Sequence, residues 1–220
     1  MIDPRAASPP LLAVLVTALA LTGCVTTPKK TDGKNFQARY RGFNYCSVDA
    51  VKQSRQLSCG AAALTSVMNY WIEDDPARAP YEEKQLIERY PSKSPEGYPI
   101  LQLREIAITE GFAAFALTME RDPWSQLGDQ IDNGRPVICA VNLPRGKYFG
   151  GSLPLVETLD RRTVMTTGNE WKSHYVVAMG RTNDEVLLMD PKYGIVRIGR
   201  EQFLHFWQLE NYASLVTSTM

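Results

Sequence analysis

Apolar residues recur at helical spacing over 59–72, at Leu64, Val67, Met68, Trp71 and Ile72, and predict a central helix whose stripe faces the core. Small residues, Gly60 to Ala63, precede the stripe and allow close packing at the N-terminal end of that helix. Two more helices are predicted over 81–90 and 100–110, the second stopped by Gly111. Residues 112–119 read as a strand and 124–133 as a helix ended by Gly134. Apolar runs bounded by turn residues then predict strands over 136–143, 163–166, 174–179, 186–189 and 195–198, with 212–217 closing the sheet. A short amphipathic helix is expected over 200–207. Together these give an α+β domain: a helical half packed on an antiparallel sheet, with a cleft between the two parts.

Three regions follow from composition: a targeting segment over 1–23, a polar tether over 24–44 and one domain over 45–220. Residues Leu11 to Ala20 form an apolar core of signal-peptide length, too short for a comfortable membrane span. The run Leu21-Thr22-Gly23-Cys24 resembles the bacterial lipoprotein processing box, which implies lipidation of Cys24. Val25 follows the cysteine where aspartate would retain a lipoprotein in the inner membrane. The expected location is therefore the bacterial cell envelope, lipid-anchored to the outer membrane and facing the periplasm. The following stretch, rich in Thr, Lys and Gly, reads as a flexible tether. The remaining residues, about 175, fit a single domain that buries a core without disulfide support. Lys plus Arg (24) balances Asp plus Glu (24), and no basic stripe or aromatic platform points to nucleic acid.

The chemistry is concentrated around Gln53-Ser54-Arg55-Gln56-Leu57-Ser58-Cys59. A cysteine at the start of a helix meets unpaired N–H groups and the positive end of the helix dipole, which favour a thiolate. A glutamine one loop earlier can direct its amide at a developing oxyanion. The chain has two histidines, His174 and His205. His174 opens a β-rich run, and Thr182-Asn183-Asp184 turns the chain into a second strand that ends at Asp190-Pro191. A hairpin there brings Asp190 near His174, where the acid can fix the imidazole tautomer and leave the other ring nitrogen for the thiol. By itself Asp190 reads equally as a turn residue before proline. His205 lies in the predicted helix over 200–207 and reads as a surface or half-buried histidine.

Read together, Gln53, Cys59-Gly60-Ala61-Ala62, His174-Tyr175-Val176-Val177 and Asp190-Pro191 resemble the double-glycine leader (bacteriocin-processing) peptidases, a papain-like cysteine peptidase family. The resemblance covers Cys46 to Met220. It implies Cys59 as nucleophile, His174 as base, Asp190 as orienter and Gln53 as oxyanion donor, with cleavage after small residues of the Gly-Gly kind. Members are often fused to exporters, but this sequence holds no transmembrane bundle and no P-loop. A tethered lipoprotein would meet an exported or surface protein instead, with secretion or surface-assembly machinery as a partner.

The segment 143–172 is long for a plain connection. Residues 153–159 and 162–166 can pair as a flap, and its glycines and aromatics suit a substrate lid as well as they suit a decorative hairpin. Of Cys46, Cys59 and Cys139, at least one stays free. Cys46 and Cys139 are expected as structural thiols, and a bridge between them is the alternative. No Cys/His spacing suits zinc, and no cofactor or metal is expected. The expected activity is hydrolysis of a peptide bond in a peptide or protein substrate. The alternatives are a papain-like acyl or peptidyl transferase and a non-catalytic peptide-binding module.

Overall fold

Where the sequence carries apolar residues without a break, the strands are buried on both faces. In β3 (Val137–Pro144), β4 (Trp171–Arg181) and β5 (Glu185–Asp190), successive side chains alternate between two separate cores. Val137, Cys139, Val176, Ala178, Val186 and Leu188 belong to one, while Ile138, Val177, Met179, Leu187 and Met189 belong to the other. A sheet of this kind needs cover on both sides.

The computed structural model describes residues 40, 42–144 and 171–220. The segment 1–23, the lipidation candidate Cys24, nearly all of the tether, and residues 145–170 of the expected flap lie outside the described residues. Among the described residues the chain forms five helices and seven strands. The strands besides β3–β5 are β1 (Asn44–Tyr45), β2 (Phe112–Thr118), β6 (Gly194–Gly199) and β7 (Ala213–Thr219). The sheet is antiparallel in the order β2-β7-β3-β4-β5-β6, and β1 pairs with β4 at Gly180 and Arg181. The predicted final strand does not close an edge. It inserts between β2 and β3, pairing with both.

Helices α1 (Cys59–Ile72), α2 (Glu83–Arg89) and α3 (Ile100–Thr109) cover one face. Helices α4 (Pro123–Asp132) and α5 (Arg200–Gln208) cover the other. The expected helical half thus accounts for one of two helical layers. Each layer contributes large side chains that are out of water, Leu64, Met68 and Leu103 on one side and Leu127, Phe203 and Trp207 on the other. Each fully buried aliphatic side chain of this size is worth about 1.5–3 kcal/mol in transfer free energy.

Helix α1 is enclosed on more than one side. All positions from Gly60 to Met68 are buried, so no side of this stretch faces solvent. The predicted stripe continues to Ile72, but Trp71 is half-buried and donates from Nε1 to Thr217 Oγ1 at 3.0 Å. Gly60 permits this enclosure: a Cβ there would stand 3.1 Å from Leu103 Cδ1 and from Tyr175 Cδ2. No helix among the described residues is long and apolar enough to cross a membrane.

Candidate active site

Cys59 is the first residue of α1, and its side chain is partly exposed. Ser58 precedes it but does not cap the helix with its hydroxyl. The Oγ of Ser58 turns back instead, donating to the Arg55 carbonyl at 3.0 Å and accepting from the Arg55 N–H at 3.1 Å. The first turn carries no acidic side chain either. No carboxylate of its own first turn therefore neutralises the positive end of the helix dipole, and an anion is favoured there.

The other candidates come from the β4–β5 hairpin. Thr182 closes its turn: its N–H donates to the Glu185 carbonyl at 2.9 Å, and its Oγ1 accepts from the N–H groups of Asp184 and Glu185. The register pairs Ala178 with Leu188 and Val177 with Met189. Two-residue alternation then carries His174 and Asp190 to the same face of the sheet. His174 is 7% exposed and Asp190 0%, and His174 Nε2 lies 3.0 Å from Asp190 Oδ2. When Asp190 is ionised its carboxylate only accepts, so Nε2 then carries the proton and Nδ1 is the nitrogen suited to take one from a thiol. Asp190 serves the turn as well. Its Oδ1 accepts from the N–H groups of Lys192 (2.6 Å) and Tyr193 (3.0 Å). Burial raises the Asp190 carboxyl to about 7, while those two N–H groups and the Lys192 charge pull the other way.

Tyr175 links the nucleophile candidate to the histidine strand. It follows His174 on β4, and its ring packs against the Gly60 backbone. Its phenol is raised above the ordinary tyrosine value by burial first, then by the charges of Cys59 and Glu210. The start of α1 is thus set beside Tyr175, and His174 is the residue before Tyr175 on β4. In the sequence Tyr175 reads only as part of an apolar strand, because periodicity reports burial and not the neighbour across the interface.

Gln53 is held at the same end. Its backbone N–H donates to the Pro191 carbonyl at 2.9 Å, directly after Asp190. Its side chain, however, is turned into its own loop: Nε2 donates to the carbonyls of Arg55 (2.8 Å) and Gln56 (3.1 Å). Its Oε1 is buried with no hydrogen-bond partner among the described residues. Next to this loop lies a largely apolar cavity of about 310 Å³, bounded by Leu57, Ser58, Ile87, Pro91 and Tyr98. His205, by contrast, is exposed on α5. Cys46 and Cys139 are buried and unbridged. They occupy different cores, so the alternative of a bridge between them is not what forms.

A helix whose N-terminus bears a cysteine, set against an antiparallel sheet bearing a His–Asp pair, is the papain-like arrangement. The chain belongs to the Peptidase C39-like family, which it matches over residues 45–215. The fold is similar to that of the peptidase domain of Streptococcus ComA, a bifunctional ABC transporter involved in quorum sensing. That match has 19% identity and a TM-score of 0.53, over 79% of this chain and 99% of the other. A C39-like peptidase structure from Bacillus anthracis matches at 16% identity and TM-score 0.55, over 79% and 96%. A double glycine motif protease from an AMS/PCAT transporter, in complex with the leader peptide, matches at 20% identity and TM-score 0.51, over 82% and 96%. At these identities the likeness establishes the fold. No curated protein matches this chain.

Proposed function

We propose that this protein is a cysteine peptidase that cleaves after small residues, of the Gly-Gly kind, in an exported or surface protein. The observation that carries the reading is the buried His174–Asp190 pair, 3.0 Å apart, at the end of β4 where Tyr175 meets the start of the Cys59 helix. His174 Nδ1 takes the thiol proton, and the Cys59 sulfur attacks the scissile carbonyl. The Cys59 N–H and the Gln53 amide then stabilise the oxyanion, for which Gln53 Nε2 must turn away from the Arg55 and Gln56 carbonyls. The imidazolium protonates the leaving amine, the acyl group remains on sulfur, and water releases it. The cavity beside Leu57 and Ser58 takes a substrate side chain.

The test is cleavage of quenched fluorogenic peptides that contain Gly-Gly and Gly-Ala bonds, with Cys59→Ser as control and products identified by mass spectrometry. Turnover by wild type and none by Cys59→Ser supports the reading. Products carrying an added amine or thiol in place of water would make the protein a transferase. Binding without turnover, and without a thiol that reacts with an acyl probe, would make it a peptide-binding module.

We further propose that the protein works in the cell envelope, held by acyl chains on Cys24 at the periplasmic face of the outer membrane. The support is the Leu21-Thr22-Gly23-Cys24 motif. Two or more chains give stable anchoring where one is marginal. The full chain should partition into detergent, and Cys24→Ala should not. A freely soluble wild-type protein after signal cleavage would remove the anchor.

A further inference from the structure

Glu83 opens α2 and is 5% exposed. Its Oε1 accepts the backbone N–H of Ser54 at 3.0 Å. Its Oε2 is buried and has no hydrogen-bond partner among the described residues. Keeping a carboxylate out of water with one oxygen unpaired is unfavourable. The other buried side chains of α2 are Leu86 and Ile87. An aliphatic residue at position 83 would therefore suit the packing better. What such a residue could not do is hold the N–H of Ser54.

That N–H belongs to the loop between Gln53 and Cys59. The Gln53 N–H is fastened to Pro191, at the end of β5 beside Asp190. The Ser54 N–H is fastened to Glu83 on α2. Two consecutive peptide groups are thus anchored to two different elements, one from the sheet and one from the helical layer. The loop then closes on itself through Arg55 and Ser58 and enters α1 at Cys59. Arg55 and Glu83 are also near enough to Tyr98 that their opposite charges act on its phenol, after burial has raised it. With the Glu83 anchor gone, the loop keeps its attachment at Pro191 and its entry into α1 and loses its hydrogen bond to α2.

We infer that Glu83 is a positioning residue for the reaction, holding the loop from Gln53 to Ser58 so that the Gln53 amide and the Cys59 N–H meet the oxyanion together. The inference rests on the peptidase reading. It assigns Glu83 no contact with substrate: its effect passes through Ser54, and it acts on the chemical step rather than on binding.

The experiment uses the full chain and a quenched fluorogenic peptide with a Gly-Gly-Ala sequence at the cleavage point. Glu83→Ala should lower kcat by about 100-fold, the scale of a displacement near 1 Å at a reacting centre. KM should change by less than about threefold, since no substrate contact is lost. Glu83→Gln keeps an oxygen that can accept the Ser54 N–H and should restore kcat to within about threefold of wild type. If Glu83→Ala fails to fold, Glu83→Met keeps the volume without the acceptor and takes its place. Amide hydrogen exchange at Ser54 gives a readout without turnover: faster in the Ala or Met variant, unchanged in Gln. Equal loss of kcat in the Ala and Gln variants, or unaltered exchange at Ser54 in Glu83→Ala, overturns the inference. A wild-type chain that cleaves no peptide defeats the peptidase reading itself. An active wild type matched by Glu83→Ala defeats only the role given to Glu83.

Discussion

The backbone N–H of Gln53 donates to the carbonyl of Pro191 at 2.9 Å, so the loop leading to Cys59 is tied to the residue that follows Asp190. Gln53 therefore has two separable parts: a backbone that aligns the loop with the hairpin, and an amide that faces the Arg55 and Gln56 carbonyls. Substitution reads only the amide. If that amide turns to the oxyanion during turnover, Gln53→Ala lowers kcat by about 100- to 1,000-fold, the usual effect of removing one such donor. Steady-state kinetics decide this. A loss below about tenfold would leave the side chain as a brace for its loop.

The two histidines should behave oppositely. His174 is buried against Asp190, whereas His205 is exposed on α5. His174→Ala should reduce kcat by at least about 1,000-fold, as loss of one member of a catalytic unit does. His205→Ala should leave kcat near wild type. The reverse pattern would remove the hairpin from the mechanism. Asp190→Ala should be more damaging than Asp190→Asn, because an amide oxygen can still accept from Nε2.

Asp190 also gives stability a pH dependence of definite sign. Burial raises its carboxyl from 3.8 to about 7 in the folded chain. The folded state thus binds this proton more tightly than the unfolded state. The associated stability is fully present below about pH 4 and is lost as pH rises through about 7. Urea unfolding from about pH 4 to 8 should show wild type losing stability relative to Asp190→Asn, which does not titrate. A difference that grows in wild type's favour over this window would refute the assignment.

Thiol reactivity should single out Cys59. Burial pushes Cys46 up to about 11, and it raises the fully buried Cys139 as well. Only Cys59 of these three is partly exposed. Iodoacetamide at about pH 6 should therefore label Cys59 well before the other two, as peptide mapping would show. Equal labelling of all three in the folded protein would count against the site.

Gly97 forms part of the wall of the cavity beside Leu57. Its φ is +110°, and a Cβ there would come 2.9 Å from the Leu57 carbonyl oxygen, a backbone atom that cannot step aside. Gly97→Ala should cost about 1–3 kcal/mol in chemical unfolding. It should also raise KM for peptides whose side chain enters the cavity. An unchanged unfolding midpoint would show that the 91–98 loop accommodates the methyl group.

Helix α1 was legible to the residue, because a small-residue start and an apolar stripe both mark its course. The His174–Asp190 pairing followed from strand, turn and strand, since a hairpin leaves little freedom in where its ends meet. The side of the sheet on which α4 and α5 pack was not legible. An amphipathic stripe shows that a helix has a buried face but does not say which layer receives it. Strand β1, two residues long, is too short for any period to register. Glu83 was hidden for another reason: it stands in the run Glu82-Glu83-Lys84, which reads as a solvated helix start. Its partner, the Ser54 N–H, is a backbone group and leaves no trace in residue types.

The interior placement of β7 bears on when activity can arise during synthesis. Residues 213–219 are the last strand in sequence, yet they lie between β2 and β3, and Leu215 and Val216 feed the two opposite cores. A ribosome-bound chain that lacks them leaves β2 detached from β3 and takes Leu215 and Val216 out of the two cores. Cys59, His174 and Asp190 have all been made by then, but the sheet that would hold them is incomplete. On the peptidase reading, a nascent chain becomes competent only once residues 213–219 have paired with both β2 and β3.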